Sequence, residues 1–165
     1  MKFKTSVLRT MRVDSPLGGV TLAATDDGLA GLWFDLQRHL PDMRDWQADD
    51  THPVLLAAAA QLKDYFAGTR DHFDLPLDLS HGTAFQQAVW QALLAIPAGA
   101  TTSYGALSQR VGKPAAVRAV GAAVGRNPIS VIVPCHRVLG ADGSLTGYAG
   151  GLDRKTALLT LEGAL

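Results

Sequence analysis

A chain of 165 residues is one ordinary domain or two small ones packed together. Its 15 basic and 15 acidic side chains cancel, and no apolar run approaches the roughly 20 residues of a membrane helix, so the overall balance points to neither nucleic acid nor a membrane. The basic N-terminus lacks an apolar core of signal-peptide length, and the single cysteine excludes an internal disulfide or a zinc site built on several cysteines, so a cytoplasmic protein is expected.

In chain order, residues 7–34 predict a β-meander. "SVLRTMRV" and "GVTLAAT" are separated by the turn "DSPLGG", and "TDDG" leads into "LAGLWF". Residues 38–52 read as a polar loop. "HPVLLAAAAQLKDYFAG" predicts a helix with apolar positions 54, 55, 58, 62, 65 and 66 and Gly68 as its stop. "HFDLPLDL" is extended, and its proline restricts any strand there to a sheet edge. A boundary is expected at "LSHGT", dividing the chain into 1–80 and 81–165.

The second half reads as mostly helical. Thr83 caps a helix whose inner face carries Phe85, Val89, Ala92 and Leu93. Ser103 caps a short helix that ends at Gly112, and a third follows the "KP" turn with Val117, Val120 and Val124 as its stripe. "SVIV" predicts a short strand ending at Pro134, and Asp153 and Gly163 bound the last helix. The class is α+β: a small antiparallel sheet plus helix, then a mostly helical, winged helix–turn–helix-like half.

Charge is unevenly spread. Residues 1–100 hold eight Lys/Arg against twelve Asp, and residues 101–165 hold seven Lys/Arg against three acids. The stretch 101–137 has no acid against Arg110, Lys113, Arg118, Arg126 and Arg137, a pattern that marks either a phosphate-binding face or a solvated basic surface. The two short helices have helix–turn–helix spacing. Apart from Arg118, the second offers only small residues such as Ala115, Ala119, Gly121 and Ala122 beside its valines, which suits close approach to phosphates, or tight packing, rather than base reading.

Cys135 lies in "VIVPCHRVLG" and by itself is either a small buried apolar residue or a nucleophile. In a regular strand adjacent side chains point apart, so His136 helps only if Pro134 starts a turn. Glu162 is i+4 from Leu158 and i+3 from Leu159, near an apolar face and against the helix dipole, so a partner such as histidine is expected.

"PCHRV" at 134–138 resembles the active-site motif of the O6-alkylguanine-DNA alkyltransferases (methylated-DNA–protein-cysteine methyltransferases). The similarity extends in order through "SYGAL" at 103–107, "RAVG" at 118–121, "NP" at 127–128, "GYAGG" at 147–151 and "LLTLEG" at 158–163. Residues 1–80 fit that family's ribonuclease H-like domain by size and element order alone.

The resemblance implies Cys135 as alkyl acceptor, His136 as base through a water, Glu162 as its orienter and Asn127 as a hinge bracing the turn. It implies Tyr104 at the target phosphate and base, and Arg118 filling the gap left by a flipped nucleotide. The carbonyls of Cys135 and Val138 would accept from the guanine amine, and Tyr148 and Ala149 would lie near O6. Ala119, Gly121 and Arg137 would complete the DNA-binding face. The chemistry fits these types. Thiolate is a suitable soft nucleophile for an sp³ carbon, a base must generate it, and a duplex base must leave the stack to be reached.

The implied activity is irreversible, stoichiometric transfer of a methyl or other alkyl group from O6 of guanine, and from O4 of thymine, to Cys135. The implied partner is duplex DNA containing O6-alkylguanine, bound by a monomer, with no cofactor and no metal. Ser130 stands where some members have proline, which leaves tolerance of bulky adducts open. The competing readings are a non-reacting lesion-binding protein, a Cys–His hydrolase and a plain helix–turn–helix regulator.

Overall fold

Turn chemistry sets the first half. The computed structural model describes residue 3 and residues 8–165, so the predicted strand start at Val7 lies outside the described residues. In the first hairpin, β1 (Arg9–Ser15) pairs antiparallel with β2 (Gly18–Thr25). Ser15 Oγ accepts from Leu17 N at 3.1 Å and donates to Gly18 O at 2.7 Å, while Gly18 takes the left-handed φ of 107° that its missing side chain permits. β2 then pairs antiparallel with β3 (Gly28–Phe34).

The region 38–52 is not wholly loop. β4 (Gln47–Ala48) pairs parallel with β1, giving the order β3-β2-β1-β4. Helix α1 (Pro53–Phe66), capped by His52 Nδ1 accepting from Val54 N at 3.2 Å, lays Leu55, Ala58, Leu62 and Tyr65 on the sheet.

β3 is buried along its whole length because it is flanked on both sides. Beyond β2, its other edge takes Pro76–Asp78 through Leu29 and Pro128–Ser130 through Leu32, each by two backbone hydrogen bonds. The predicted 72–79 edge strand is therefore reduced to a single bridge at Leu77, with Pro76 supplying only its carbonyl. The segment just ahead of Cys135 is thus seated on the N-terminal sheet.

In the second half α2 (Ala84–Leu94) begins with a reciprocal capping box between Thr83 and Gln86. Val89 and Leu93 are buried as expected. Trp90, not among the expected inner-face residues, is buried too, and its Nε1 donates to Ala123 O at 2.9 Å and docks α2 on α4 (Val117–Gly125); Phe85 and Ala92 are only half-buried. α3 (Tyr104–Arg110) starts at the Ser103 cap, and the parallel pair β5 (Thr102–Ser103) and β6 (Val138–Leu139) closes the site region. Val120 and Val124 point inward, but Val117 is 40% exposed because it opens the first turn of α4. α5 (Leu152–Leu161) is led in by Gly151 at φ 93°; Asp153 lies inside the first turn and is not the cap.

The predicted "SVIV" strand is absent. Ile129 makes one bridge to Leu32, and residues 130–133 form a tight turn with Val131 at φ 72°. The cause is Asn127, whose side chain binds both ends of the turn: Oδ1 accepts from Ile129 N at 3.0 Å and Nδ2 donates to Val133 O at 2.7 Å. Those bonds fold the β-branched run back on itself.

Candidate active site

Pro134 follows that turn and starts one turn of 3₁₀ helix, Cys135–Arg137. The turn brings together what a strand would have splayed apart. His136 is fully buried, and its Nε2 lies 2.8 Å from Glu162 Oε2 at the end of α5. A carboxylate accepts, so Nε2 carries the proton and Nδ1 keeps its lone pair, an assignment that follows from the bond. Nδ1 has no partner. Burial holds the imidazole below its ordinary pKa, against the opposing pull of Glu162, and keeps it neutral.

Glu162 is a hub. Besides His136 it accepts from Tyr65 Oη of α1 at 2.6 Å and from Arg137 Nε and Nη2, each at 2.8 Å. Burial alone would raise its pKa; the bonds from Arg137, His136 and Tyr65 outweigh burial and lower it to about 2. Arg137, expected on the DNA face, is instead buried. Its guanidinium forks onto Glu162 and donates to Ile96 O, so it braces the carboxylate and leaves the basic surface.

Cys135 is 5% exposed, and burial pushes its thiol up to about 11. The Asn127 amide, the Lys155 charge and backbone N–H groups pull the other way. Asn127 lies where the motif predicts, bracing the turn before the thiol.

Lys155 was missed in the sequence. It is fully buried, and its Nζ donates to Val138 O at 2.6 Å, Thr146 O at 2.7 Å and Gly147 O at 3.3 Å. No carboxylate is among these partners, and burial lowers its pKa. The available signal was helical spacing: Lys155 is i−3 from Leu158 and i−4 from Leu159, on the face that α5 buries. Lys155 ties the 146–149 loop to β6. It also engages the Val138 carbonyl expected to meet guanine, and Val138 N donates to the Cys135 carbonyl. Each carbonyl keeps a second lone pair for a ligand.

Cys135 opens into a cleft of about 120 Å³ lined by Tyr104, Gly121, Val124, Tyr148 and Ala149, and also by Arg38 and His39 of the first half. Gly121 faces the Tyr104 ring, and a Cβ there would make ordinary van der Waals contact with it at 3.7 Å, so the position does not require glycine for space. The buried Tyr148 hydroxyl makes no hydrogen bond of ordinary geometry among the described residues, and the buried Ser130 is the polar side chain that interacts with it. Arg118 and Ala119 lie exposed on α4, outside the residues that line the cleft. A larger apolar groove of about 620 Å³ between β1, β2 and α1 holds only Asp14 and Lys63 as charged groups and is remote from the thiol.

Among known proteins, residues 84–164 match the 6-O-methylguanine DNA methyltransferase DNA-binding domain, and residues 8–79 match the ribonuclease-like domain of the same family. A methylated-DNA–protein-cysteine methyltransferase of Mycobacterium tuberculosis is 51% identical over 91% of this chain and 89% of its own length. One from Methanosarcina barkeri is 46% identical over 91% and 94%. The crystal structure of Mycobacterium tuberculosis OGT in complex with DNA superimposes with a TM-score of 0.85 at 49% identity, over 96% of this chain and 93% of that one. Among the described residues no helix is long and apolar enough to cross a membrane.

Proposed function

The chain belongs to the 6-O-methylguanine DNA methyltransferase family, and from that premise we propose that it repairs DNA by moving an alkyl group from O6 of guanine to Cys135. The supporting observation is that Cys135 shares one 3₁₀ turn with a buried His136 whose Nε2–H is held by Glu162 and whose Nδ1 has no partner among the described residues.

The thiol rests protonated. Burial pushes its pKa up to about 11, so at pH 7 a base must take the proton before sulfur can attack. No hydrogen bond joins His136 Nδ1 to the thiol among the described residues, and in the reading the resemblance implies, a water between them would carry the proton. Sulfur then attacks the alkyl carbon in line, the S–C bond forms and the C–O6 bond breaks. The electron pair passes to the guanine ring, which takes up a proton, with the Tyr104 hydroxyl as a donor to the base. The product thioether has no carbonyl for water to attack, so each molecule acts once.

The lesion would reach Cys135 only on leaving the duplex, and Arg118, exposed on α4, would fill the gap. Residues 81–165 would bind DNA and carry the transfer, with residues 1–80 as the supporting half. O4 of thymine offers the same leaving oxygen and is included as a substrate. A cytoplasm that keeps the lone thiol reduced suits this use.

Intact mass after incubation with a duplex containing O6-methylguanine tests the proposal. The expected gain is about 14 Da, one methylene, on Cys135 and none in Cys135→Ser. Tight duplex binding with unchanged mass would replace it with lesion sensing, and multiple turnover would replace it with hydrolysis.

A further inference from the structure

The segment that follows β3 is strained and built. Leu36 and His39 sit at φ 61° and 59°, the left-handed region that side chains avoid. Gln37 is buried, accepts from Phe34 N at 2.8 Å through Oε1 and donates to Arg38 O at 3.1 Å through Nε2. Arg38 N donates to Ala149 O at 2.8 Å, latching the segment onto the loop beside the thiol.

The turn displays positive charge. Arg38 and His39 line the Cys135 cleft, and His39 shares an adjoining hollow with Arg126, just past α4. The other described arginines of the first half each have an acceptor: Arg9 on Gln47, Arg12 on Asp35, Arg44 on Asp42 and Arg70 on His72 O. Arg38 makes hydrogen bonds only through its backbone, and its guanidinium is unpaired among the described residues. The neighbouring carboxylates, Asp35 and Asp42, are already taken by Arg12 and Arg44. Burial, Arg126 and Arg38 together hold His39 below its ordinary pKa, as expected where cations gather without an acid. Such a cluster repels itself until an anion arrives.

We propose that Arg38, lining the Cys135 cleft, and Arg126, lining the adjoining hollow that His39 shares, grip one phosphate of the DNA strand beside the extruded nucleotide, with His39 as an added hydrogen-bond donor. The N-terminal half is then part of the DNA site. This rests on the functional reading above, because the anion is a phosphodiester of that substrate.

The test separates binding from transfer. In a Cys135→Ser background, affinity for a fluorescent duplex containing O6-methylguanine is measured over a range of salt. Arg38→Ala is expected to weaken binding about 3- to 10-fold and to lower the slope of log Kd against log salt by about one, while Arg38→Lys keeps the slope. Arg38→Ala and Arg126→Ala combined should cost less than the two singly, because they share one phosphate. With Cys135 restored, the ratio of transfer rates from duplex and from free O6-methylguanine base should fall at least threefold in Arg38→Ala.

An unchanged salt slope overturns the proposal. So does an equal loss on duplex and free base, which would make Arg38 a prop for the 146–149 loop. Failure of the unsubstituted protein to transfer alkyl would overturn the functional reading and leave the salt slope to decide this one.

Discussion

His136 Nε2 and Glu162 Oε2 lie 2.8 Å apart with the ring fully buried and the carboxylate side chain 1% exposed, so one bond decides which imidazole nitrogen is free. The carboxylate is held ionised by its other donors, above all Arg137. Its ionisation is therefore also a folding term. Glu162 has a folded pKa of about 2 against 4.5 for a free side chain. Its stabilisation is complete above about pH 4.5 and fades as the pH falls toward 2, because the unfolded chain takes the proton first. Urea unfolding should lose roughly 3 kcal/mol over that interval from this group. Glu162→Gln should flatten the acid limb while costing about 3–5 kcal/mol at pH 7, since Arg137 keeps a buried unpaired charge. An acid limb identical to that of the native chain would remove Glu162 from this role.

The thiol makes a second pH prediction. Cys135 is pushed up to about 11 by burial, so reaction with a small electrophile such as iodoacetamide should rise about tenfold per pH unit from 7 to 10. A plateau by pH 8.5 would show that the resting thiol is already activated.

The parts of the fold that were legible in the sequence are those written in neighbouring residues. Thr83 and Gln86 form their cap, Ser103 forms its own, and the turns around Gly18 and Gly28 close the meander. Motif order located Cys135, His136, Asn127 and Glu162. What failed depends on partners far along the chain. "SVIV" has strand composition, but two side-chain bonds from Asn127 outweigh that preference. Arg137 counts as a surface cation by type, yet Glu162 stands 25 residues away to receive it. Tyr65 reaches the same carboxylate from 97 residues away, and nothing local to α1 announces it. Lys155 was the exception: its spacing to Leu158 and Leu159 carried the same signal as that of Glu162.

Lys155 should be required for the shape of the cleft. Lys155→Met keeps the length of the side chain but strips a donor from the carbonyls of Val138, Thr146 and Gly147. A loss of about 1–3 kcal/mol in stability is expected, with transfer falling by more than tenfold. Hydrogen exchange of residues 146–149 should accelerate in this variant and stay slow in Lys155→Arg. Unchanged exchange would mean that the loop is held by other contacts, such as Arg38 N on Ala149 O.

Arg118 is exposed at the start of α4 and tests base extrusion. A wedge is needed only when the lesion must leave a stack, a step that costs a few kcal/mol. Arg118→Ala should therefore lower the ratio of duplex to free-base transfer by about ten- to a hundredfold. Single-stranded DNA should fall between the two. An unchanged ratio would remove the wedge role.

Tyr65 couples the halves of the chain to the chemistry. Its ring is buried under the sheet with Phe66 and Phe73, and its hydroxyl donates to Glu162 at 2.6 Å. Burial and Glu162 raise its pKa, so it stays a donor throughout the working range. Tyr65→Phe keeps the ring contacts and removes one donor from the carboxylate. Stability should drop by about 1.5–3 kcal/mol, as for other bonds to charged groups. The Glu162 pKa should rise, because the Tyr65 bond is among those that lower it, moving the acid limb of unfolding to higher pH. Transfer should change little, since His136 keeps its own bond to Oε2 and Arg137 still holds both carboxylate oxygens. A large fall in transfer, with the acid limb unmoved, would mean that α1 positions the imidazole by packing and that the hydroxyl is incidental.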